Sequence, residues 1–95
     1  MDRIYGDFVW NIAKEHANSR KHGINFIEAA TVFDDPERKI YTDSMHSQNE
    51  ERYFCVGKVS TSIISVRFTY REGRVRIIGA GRWKKGRLYY EKEKS

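Results

Sequence analysis

The sequence predicts an α+β fold in which an antiparallel β-sheet of about four strands carries two N-terminal helices and one C-terminal helix. Near the N-terminus, apolar residues recur every three or four positions, as on one face of an amphipathic helix. Further along the chain, apolar and polar residues alternate as they do in half-buried strands. Two helices, four strands and a last helix, in that order, are typical of helices packed on one face of an antiparallel sheet.

The first two helices are predicted from their apolar spacing and their end signals. Residues 11–22 form the first helix, which Gly23 ends. Asn25 can cap the second helix, since Glu28 follows three residues later as in a capping box. The apolar positions assigned to their buried faces are Trp10, Ala13 and Ala17 in the first helix and Phe26, Ala29, Ala30 and Phe33 in the second.

Four strands and a basic helix are predicted after residue 38. Residues 39–42 form the first strand, and a polar loop over residues 43–50 follows it. The other strands cover residues 52–59, 63–70 and 74–79, and a weakly amphipathic helix covers residues 82–94. At 95 residues the chain is long enough for one domain, which we expect to span residues 1–95.

A two-residue loop at Glu72-Gly73 would divide the side chains of the last two strands between two faces. It places Tyr70 opposite Val75 and Phe68 opposite Ile77, on an apolar face that also contains Val66. The opposite face then carries Arg67, Thr69, Arg71, Arg74 and Arg76. The alternation therefore predicts a sheet with one apolar and one cationic face.

Charge and composition narrow the class of protein. Residues 1–66 carry a net charge of −2 and residues 67–95 a net charge of +7, which favours an anionic partner, nucleic acid before membrane. A basic face that only keeps the protein soluble is the alternative. No apolar run reaches the roughly 20 residues of a membrane span and no signal peptide is visible, so we expect a cytoplasmic protein. Cys55, the single cysteine, is expected to be a buried, inert thiol.

The candidate site residues are cations and histidines, and their spacing indicates no metal site and no cofactor. Guanidinium groups bind phosphate through paired hydrogen bonds, and histidine changes charge near neutral pH. Basic residues near the C-terminus alternate with Trp83, Tyr89 and Tyr90, which could stack on bases or anchor the last helix. The candidates are His22, His46, Arg52, Arg71, Arg76 and Arg82 for catalysis and Lys21, Arg67, Arg74, Lys84, Lys85 and Arg87 for RNA binding.

A series of residues over positions 7–80 matches a known family pattern in order and spacing. They are Asp7-Phe8-Val9-Trp10, Asn18, Lys21-His22-Gly23, Phe26, Ala29, Val32-Phe33-Asp34-Asp35-Pro36, Asp43, His46-Ser47, Glu51-Arg52, Gly57, Phe68-Thr69, Arg71 and Arg76-Ile77-Ile78. On these residues the chain resembles the BrnT family, a RelE-like group of bacterial toxins paired with a BrnA-type antitoxin. The resemblance implies a compact RelE-like domain, metal-independent RNA cleavage that arrests growth, and a hetero-oligomer with the neutralising antitoxin.

The sequence departs from the family pattern at two places. After Arg-Ile-Ile the family usually continues Ser-Ala-Arg, whereas this chain has Gly79-Ala80-Gly81 and carries Arg82 one position later. The acidic residue usual in the last helix is replaced by Arg87-Leu88. Two hypotheses therefore remain: an endoribonuclease in which a histidine moves protons and arginines hold the phosphate, or a weak or inactive module that binds RNA or antitoxin. DNA binding by the domain alone is less favoured because no helix-turn-helix pattern is present.

Overall fold

The computed structural model describes residues 1–92, which form a six-stranded mixed sheet and three α-helices. The strands are β1 (Asp2–Tyr5), β2 (Phe8–Asn11), β3 (Lys39–Thr42), β4 (Tyr53–Val59), β5 (Ser62–Arg71) and β6 (Arg74–Gly81), and the helices are α1 (Ile12–His22), α2 (Phe26–Thr31) and α3 (Lys84–Lys92). The order in the sheet is β1-β2-β6-β5-β4-β3. The predicted α+β class and the three helices are confirmed; the predictions of about four strands and of a purely antiparallel sheet are wrong.

The two additional strands form an N-terminal hairpin ahead of the first helix. β1 pairs with β2 in antiparallel register from Asp2 opposite Asn11 to Tyr5 opposite Phe8, and Gly6 adopts a left-handed conformation (φ 61°) in the turn. β2 then pairs with β6 in parallel. The chain therefore begins at one edge of the sheet and not with a helix.

The predicted end signals Gly23 and Asn25 are confirmed, and Asn11, predicted as the first residue of the first helix, is instead the N-cap of α1. The side chain of Asn11 accepts a hydrogen bond from the Lys14 amide, and Gly23 ends α1 in a left-handed conformation (φ 70°). Asn25 caps α2 by accepting from the Glu28 amide at 2.8 Å. The buried face predicted for α2 is confirmed at Phe26, Ala29 and Ala30, and Phe33 packs against the core while partly buried.

The buried face predicted for the first helix is only partly correct. Trp10 lies in the core, but Ala13 and Ala17 are exposed. The buried residue of α1 is Glu15, whose carboxylate accepts hydrogen bonds from Trp10 Nε1 at 3.0 Å and from the Phe26 amide at 2.9 Å. These two bonds satisfy a buried carboxylate, and they join β2, α1 and α2.

The predicted pairing of β5 with β6 is confirmed at the hairpin, where Tyr70 lies opposite Val75 and Phe68 lies opposite Ile77. Tyr70 itself is 57% exposed, so its predicted place in the core is wrong. The register then shifts between Arg67 and Phe68, so that Arg67 pairs with Gly79. The shift is a β-bulge, which bends a strand and increases its twist.

Helix α3 packs on the face of the sheet that contains the arginines and covers part of it. Gly86 lies against Ser65 and Val56, where a side chain on the helix would collide with the sheet. At its other end, Tyr90 donates a hydrogen bond to Asp35 Oδ2 at 2.6 Å. The helix starts at Lys84, not at residue 82, and residues 93 and 94 of the prediction lie outside the described residues. On the same face, Arg71 of β5 and Arg74 of β6 remain exposed.

Cys55 lies on the other face of β4 and is fully buried. Burial raises the pKa of its thiol to about 12, so the group stays neutral at physiological pH. The prediction of a buried, unreactive cysteine agrees with this environment.

Candidate active site

His46 is held by a buried carboxylate at the edge of the cationic face. It ends a short 3-10 turn (Ser44–His46), and its Nδ1 atom lies 2.9 Å from Asp43 Oδ2. The same oxygen accepts a hydrogen bond from Arg67 Nε at 3.1 Å. The Asp43 side chain is 7% exposed and that of His46 is 45% exposed. Asp43 therefore fixes the orientation of an imidazole whose Nε2 atom has no hydrogen-bond partner among residues 1–92.

The loop that carries His46 is closed by its own hydrogen bonds. The Asp43 amide donates to the Arg52 carbonyl at 2.8 Å. Ser47 Oγ donates to the Asp43 carbonyl at 2.7 Å and accepts from the Arg52 amide at 2.8 Å. These bonds join the two ends of the loop, so that a polar segment without regular strands holds His46 in a fixed place.

A cavity of about 420 Å³, here called the cationic cavity, opens beside the imidazole. Two arginines, Arg52 and Arg71, line this cavity, and Glu50 lies between them. Arg71 Nη2 is 2.9 Å from Glu50 Oε1, and Arg52 Nε is 3.8 Å from Glu50 Oε2. Arg52 Nε is buried and has no hydrogen-bond partner among residues 1–92. A phosphate group could take the place of the Glu50 carboxylate against these two guanidinium groups. The cavity is lined by Met45, His46, Gln48, Asn49, Glu50, Arg52 and Arg71.

Arg76 and Arg74 lie outside the cationic cavity. Arg76 binds both carboxylate oxygens of Asp2, at 2.7 and 3.3 Å, and thereby connects β6 to the N-terminal hairpin. This contact lowers the pKa of Asp2 and raises that of Arg76. Arg74 is exposed and lines a separate shallow cavity with Arg76, Arg71 and Asp2.

His22 occupies a different groove from His46. Its ring meets Trp83 edge to face, with 5.4 Å between the ring centroids. The groove has a volume of about 610 Å³, and it is lined by Lys14, Ala17, Asn18, Lys21, His22, Arg67, Ile78, Gly79 and Trp83. Arg67 lines this groove and also binds Asp43, the carboxylate that contacts His46. The structure therefore separates the two histidines that the sequence proposed for proton transfer.

The remaining predicted cations lie near the C-terminus. Arg82 is exposed, and its guanidinium group lies 3.4 Å from Ser62 Oγ and 3.4 Å from the His22 carbonyl. Lys84, Lys85 and Arg87 are exposed on α3, and Lys85 reaches toward Asp43 and His46 by lining a cavity with them.

Three acidic partners of the arginines were not predicted from the sequence. Asp43 binds Arg67, Glu50 binds Arg71, and Asp2 binds Arg76. The predicted cationic face is therefore a mixed face on which these three arginines are paired. The sequence offered one signal for such an acidic partner: Asp43 and His46 lie three residues apart in the same polar loop.

The fold and this face define a small α+β protein with a histidine–carboxylate pair beside a cavity lined by arginines. The chain belongs to the BrnT family of ribonuclease toxins of type II toxin–antitoxin systems, because the model of that family matches residues 10–86. Membership implies an RNA target and a protein antitoxin as partner. A sequence search of curated proteins finds no match to the chain.

Among residues 1–92, no group of three or more histidine, cysteine, aspartate or glutamate side chains is placed to hold a metal ion. None of the helices in this part of the chain combines the length and the apolar character needed to cross a membrane.

Proposed function

We propose that the chain is a metal-independent endoribonuclease whose reaction takes place at His46 and the cationic cavity. The observation that supports this proposal is the 2.9 Å contact between Asp43 and His46 Nδ1 at the edge of a cavity lined by Arg52 and Arg71. A carboxylate that orients a histidine, next to cations that can hold a phosphate, provides the groups that RNA cleavage by the 2′-hydroxyl requires.

In this mechanism His46 Nε2 accepts the proton of the ribose 2′-hydroxyl. The 2′-oxygen forms a bond to the adjacent phosphorus atom, and the bond between phosphorus and the 5′-oxygen breaks. The leaving 5′-oxygen takes a proton from water at the open mouth of the cavity. The products are a 2′,3′-cyclic phosphate and a 5′-hydroxyl, and general base catalysis of this kind contributes about 10²–10⁴-fold.

The charged neighbours of His46 have separate parts in the proposal. Arg52 and Arg71 bind the non-bridging phosphate oxygens and stabilise the negative charge that develops on them. Asp43 is a positioning residue, because it holds Nδ1 and leaves Nε2 toward the substrate. Arg67 Nε donates to the same Asp43 oxygen as His46 does, at 3.1 Å, and neutralises the carboxylate.

The test is cleavage of total RNA by the purified chain in EDTA. We expect the parent chain to cleave and His46→Ala to lose about 10²–10⁴-fold in rate. His16→Ala is the matched control, since His16 is exposed on α1 and lines none of the cavities described above. Equal cleavage by the parent and His46→Ala, with both folded by circular dichroism, would rule out this assignment.

A weak or inactive binding module is a second candidate, and one observation favours it. The resemblance to the family places an arginine at position 81, whereas this chain has a glycine there with Trp83 against it. Expression in cells separates the two candidates. Growth arrest that His46→Ala relieves supports the nuclease, and arrest unchanged by that substitution supports binding alone.

We further propose a BrnA-type antitoxin as the neutralising partner, with the two proteins forming a hetero-oligomer in the cytoplasm. The support is membership of a type II toxin family and the arginines of the cationic cavity, which an acidic antitoxin segment would fit. Co-expression with the antitoxin should abolish RNA cleavage. Continued cleavage by the purified complex would contradict neutralisation.

A further inference from the structure

His46 also lines a second cavity, whose lining does not include Arg52 or Arg71. This aromatic cavity has a volume of about 270 Å³. Sites for drug-sized ligands usually run from about 300 to 1,000 Å³, so this one suits a smaller group. Its wall consists of Tyr41, Asp43, Met45, His46, Phe54, Ser65, Arg67, Trp83, Lys85 and Gly86.

The aromatic walls of this cavity are held in place by one another. Tyr41 stacks on Phe54 with 5.3 Å between ring centroids and 28° between the ring planes. Phe54 meets Trp83 edge to face at 6.1 Å. Because aromatic side chains have few rotatable bonds and these are mutually packed, little conformational entropy is lost when a flat group enters.

Cations flank the same rings. The guanidinium carbon of Arg67 lies 5.2 Å from the centre of the Phe54 ring and 6.0 Å from that of Trp83. Lys85 closes the cavity from α3. An occupant therefore meets aromatic faces and positive charge together, which suits a planar ring attached to a phosphate better than an aliphatic side chain.

The position of the cavity connects it to the cationic cavity. Met45 and His46 line both. A nucleotide whose phosphate lies against Arg52 and Arg71 would therefore have the aromatic cavity as the neighbouring space for its base, since the two cavities share these two residues.

We propose that the aromatic cavity binds the nucleobase next to the scissile phosphate, which makes Phe54, Tyr41 and Trp83 a base-binding subsite. This inference rests on the proposed nuclease function, because it places the scissile phosphate in the cationic cavity. Stacking on these rings holds the ribose beside His46, and stacking tolerates any base.

The experiment measures nucleotide binding without cleavage, through tryptophan fluorescence of the full chain. Trp10 is fully buried whereas Trp83 is partly exposed and lines the cavity, so a change on binding reports on Trp83. Adenosine and uridine 3′-monophosphates should each quench the emission in a saturable way. Ribose 5-phosphate, which has no base, should quench it at least tenfold more weakly.

Phe54→Leu keeps an apolar side chain in the cavity and removes its aromatic face. We expect it to weaken nucleotide binding at least fivefold and to raise the KM for RNA cleavage by a similar factor. Tyr70→Leu is the matched control, since Tyr70 is an exposed tyrosine on β5 that does not line the cavity. It should bind and cleave as the parent does.

The outcomes separate the subsite from the nuclease. Binding weakened by Phe54→Leu in a chain that does not cleave RNA would support the subsite and refute the nuclease. Cleavage with equal KM in parent and Phe54→Leu would overturn the subsite and leave the nuclease standing. Equal quenching by ribose 5-phosphate, or quenching by purified antitoxin but by no nucleotide, would also overturn it.

Discussion

Trp83 lies across Gly81 so closely that a β-carbon at position 81 would stand 2.6 Å from Cε2 of the indole. Gly81 ends β6, and Trp83 immediately precedes α3. The absence of a side chain at position 81 therefore allows the indole to pack there, beside Phe54 and Arg67. The departure from the family pattern at this position is thus coupled to the place of an aromatic residue in the candidate site.

Gly81→Ala is therefore expected to destabilise the chain by about 1–3 kcal/mol, because the indole must move to admit the methyl group. Gly79→Ala is the matched control, since a β-carbon there meets only Asn18 Oδ1, at an ordinary 3.6 Å. Urea unfolding measures both. Equal stabilities of the two variants would show that Trp83 is not confined by Gly81.

Glu50→Gln is expected to raise the affinity of the chain for RNA. The Glu50 carboxylate occupies the guanidinium groups of Arg71 and Arg52 and competes with phosphate for them. We expect binding to tighten roughly three- to tenfold at low salt, which corresponds to about 0.7–1.4 kcal/mol. Binding of a single-stranded RNA at several salt concentrations measures this change, and the gain should shrink as salt rises.

The control for this prediction is Glu51→Gln. It makes the same change of charge at the adjacent, exposed position, which does not line the cationic cavity. Equal tightening by both variants would mean that net charge alone sets the affinity, and that Glu50 does not screen a phosphate site.

Asp43→Asn is expected to lower RNA cleavage by more than tenfold, because the amide no longer fixes the imidazole of His46 as the carboxylate does. It also leaves Arg67 without its ionised partner, and we expect a loss of about 1–3 kcal/mol in stability. Arg67→Met tests the second effect separately, since it removes the guanidinium group and keeps Asp43. If Asp43→Asn cleaved RNA at the parent rate, the carboxylate would have no part in positioning His46.

Tyr90 should make stability fall at alkaline pH. Burial, followed by the hydrogen bond to Asp35, raises its pKa to about 12, above the value of about 10 in unfolded chains. The folded state therefore keeps a proton that the unfolded state loses, so this contribution is complete below pH 10 and is lost between pH 10 and about 12. Urea unfolding of Tyr90→Phe over this range should show a weaker dependence on pH than the parent.

Cys55 has a raised pKa as well, so it also lowers the free energy of unfolding at alkaline pH. Because it does so equally in the parent and in Tyr90→Phe, the difference in pH dependence between these two proteins reports on Tyr90. Tyr70→Phe, at an exposed tyrosine, is the matched control. Identical pH dependence in parent and Tyr90→Phe would show that the Tyr90 proton does not contribute to alkaline unfolding.

The parts of the fold that local pattern determines could be predicted from the sequence. The caps at Asn25 and Gly23 depend on neighbouring residues only. The N-terminal hairpin could not be predicted in this way. β1 is exposed along its length and has no apolar alternation, and β2 is placed by parallel pairing with β6, more than 60 residues further along the chain.

The site shows the same division. The arginines and His46 were visible as a polar and basic pattern, but their partners were not. Asp43 lies 24 residues from Arg67, and Asp2 lies 74 residues from Arg76. These ion pairs depend on the register of the sheet and on the N-terminal hairpin of β1 and β2. The alternation of apolar and polar residues along a strand therefore predicts where the arginines lie, but it does not predict which acidic residues pair with them.

The most direct test of the proposed catalytic site compares His46→Ala with His22→Ala on one defined RNA oligonucleotide in EDTA. Both substitutions remove a histidine next to arginine, but only His46 contacts Asp43 and lines the cationic cavity. We predict a loss of about 10²–10⁴-fold in cleavage rate for His46→Ala and a loss of less than about tenfold for His22→Ala. The reverse order, with His22→Ala the slower enzyme, would contradict the assignment of His46 and move the reaction to the groove that His22 lines.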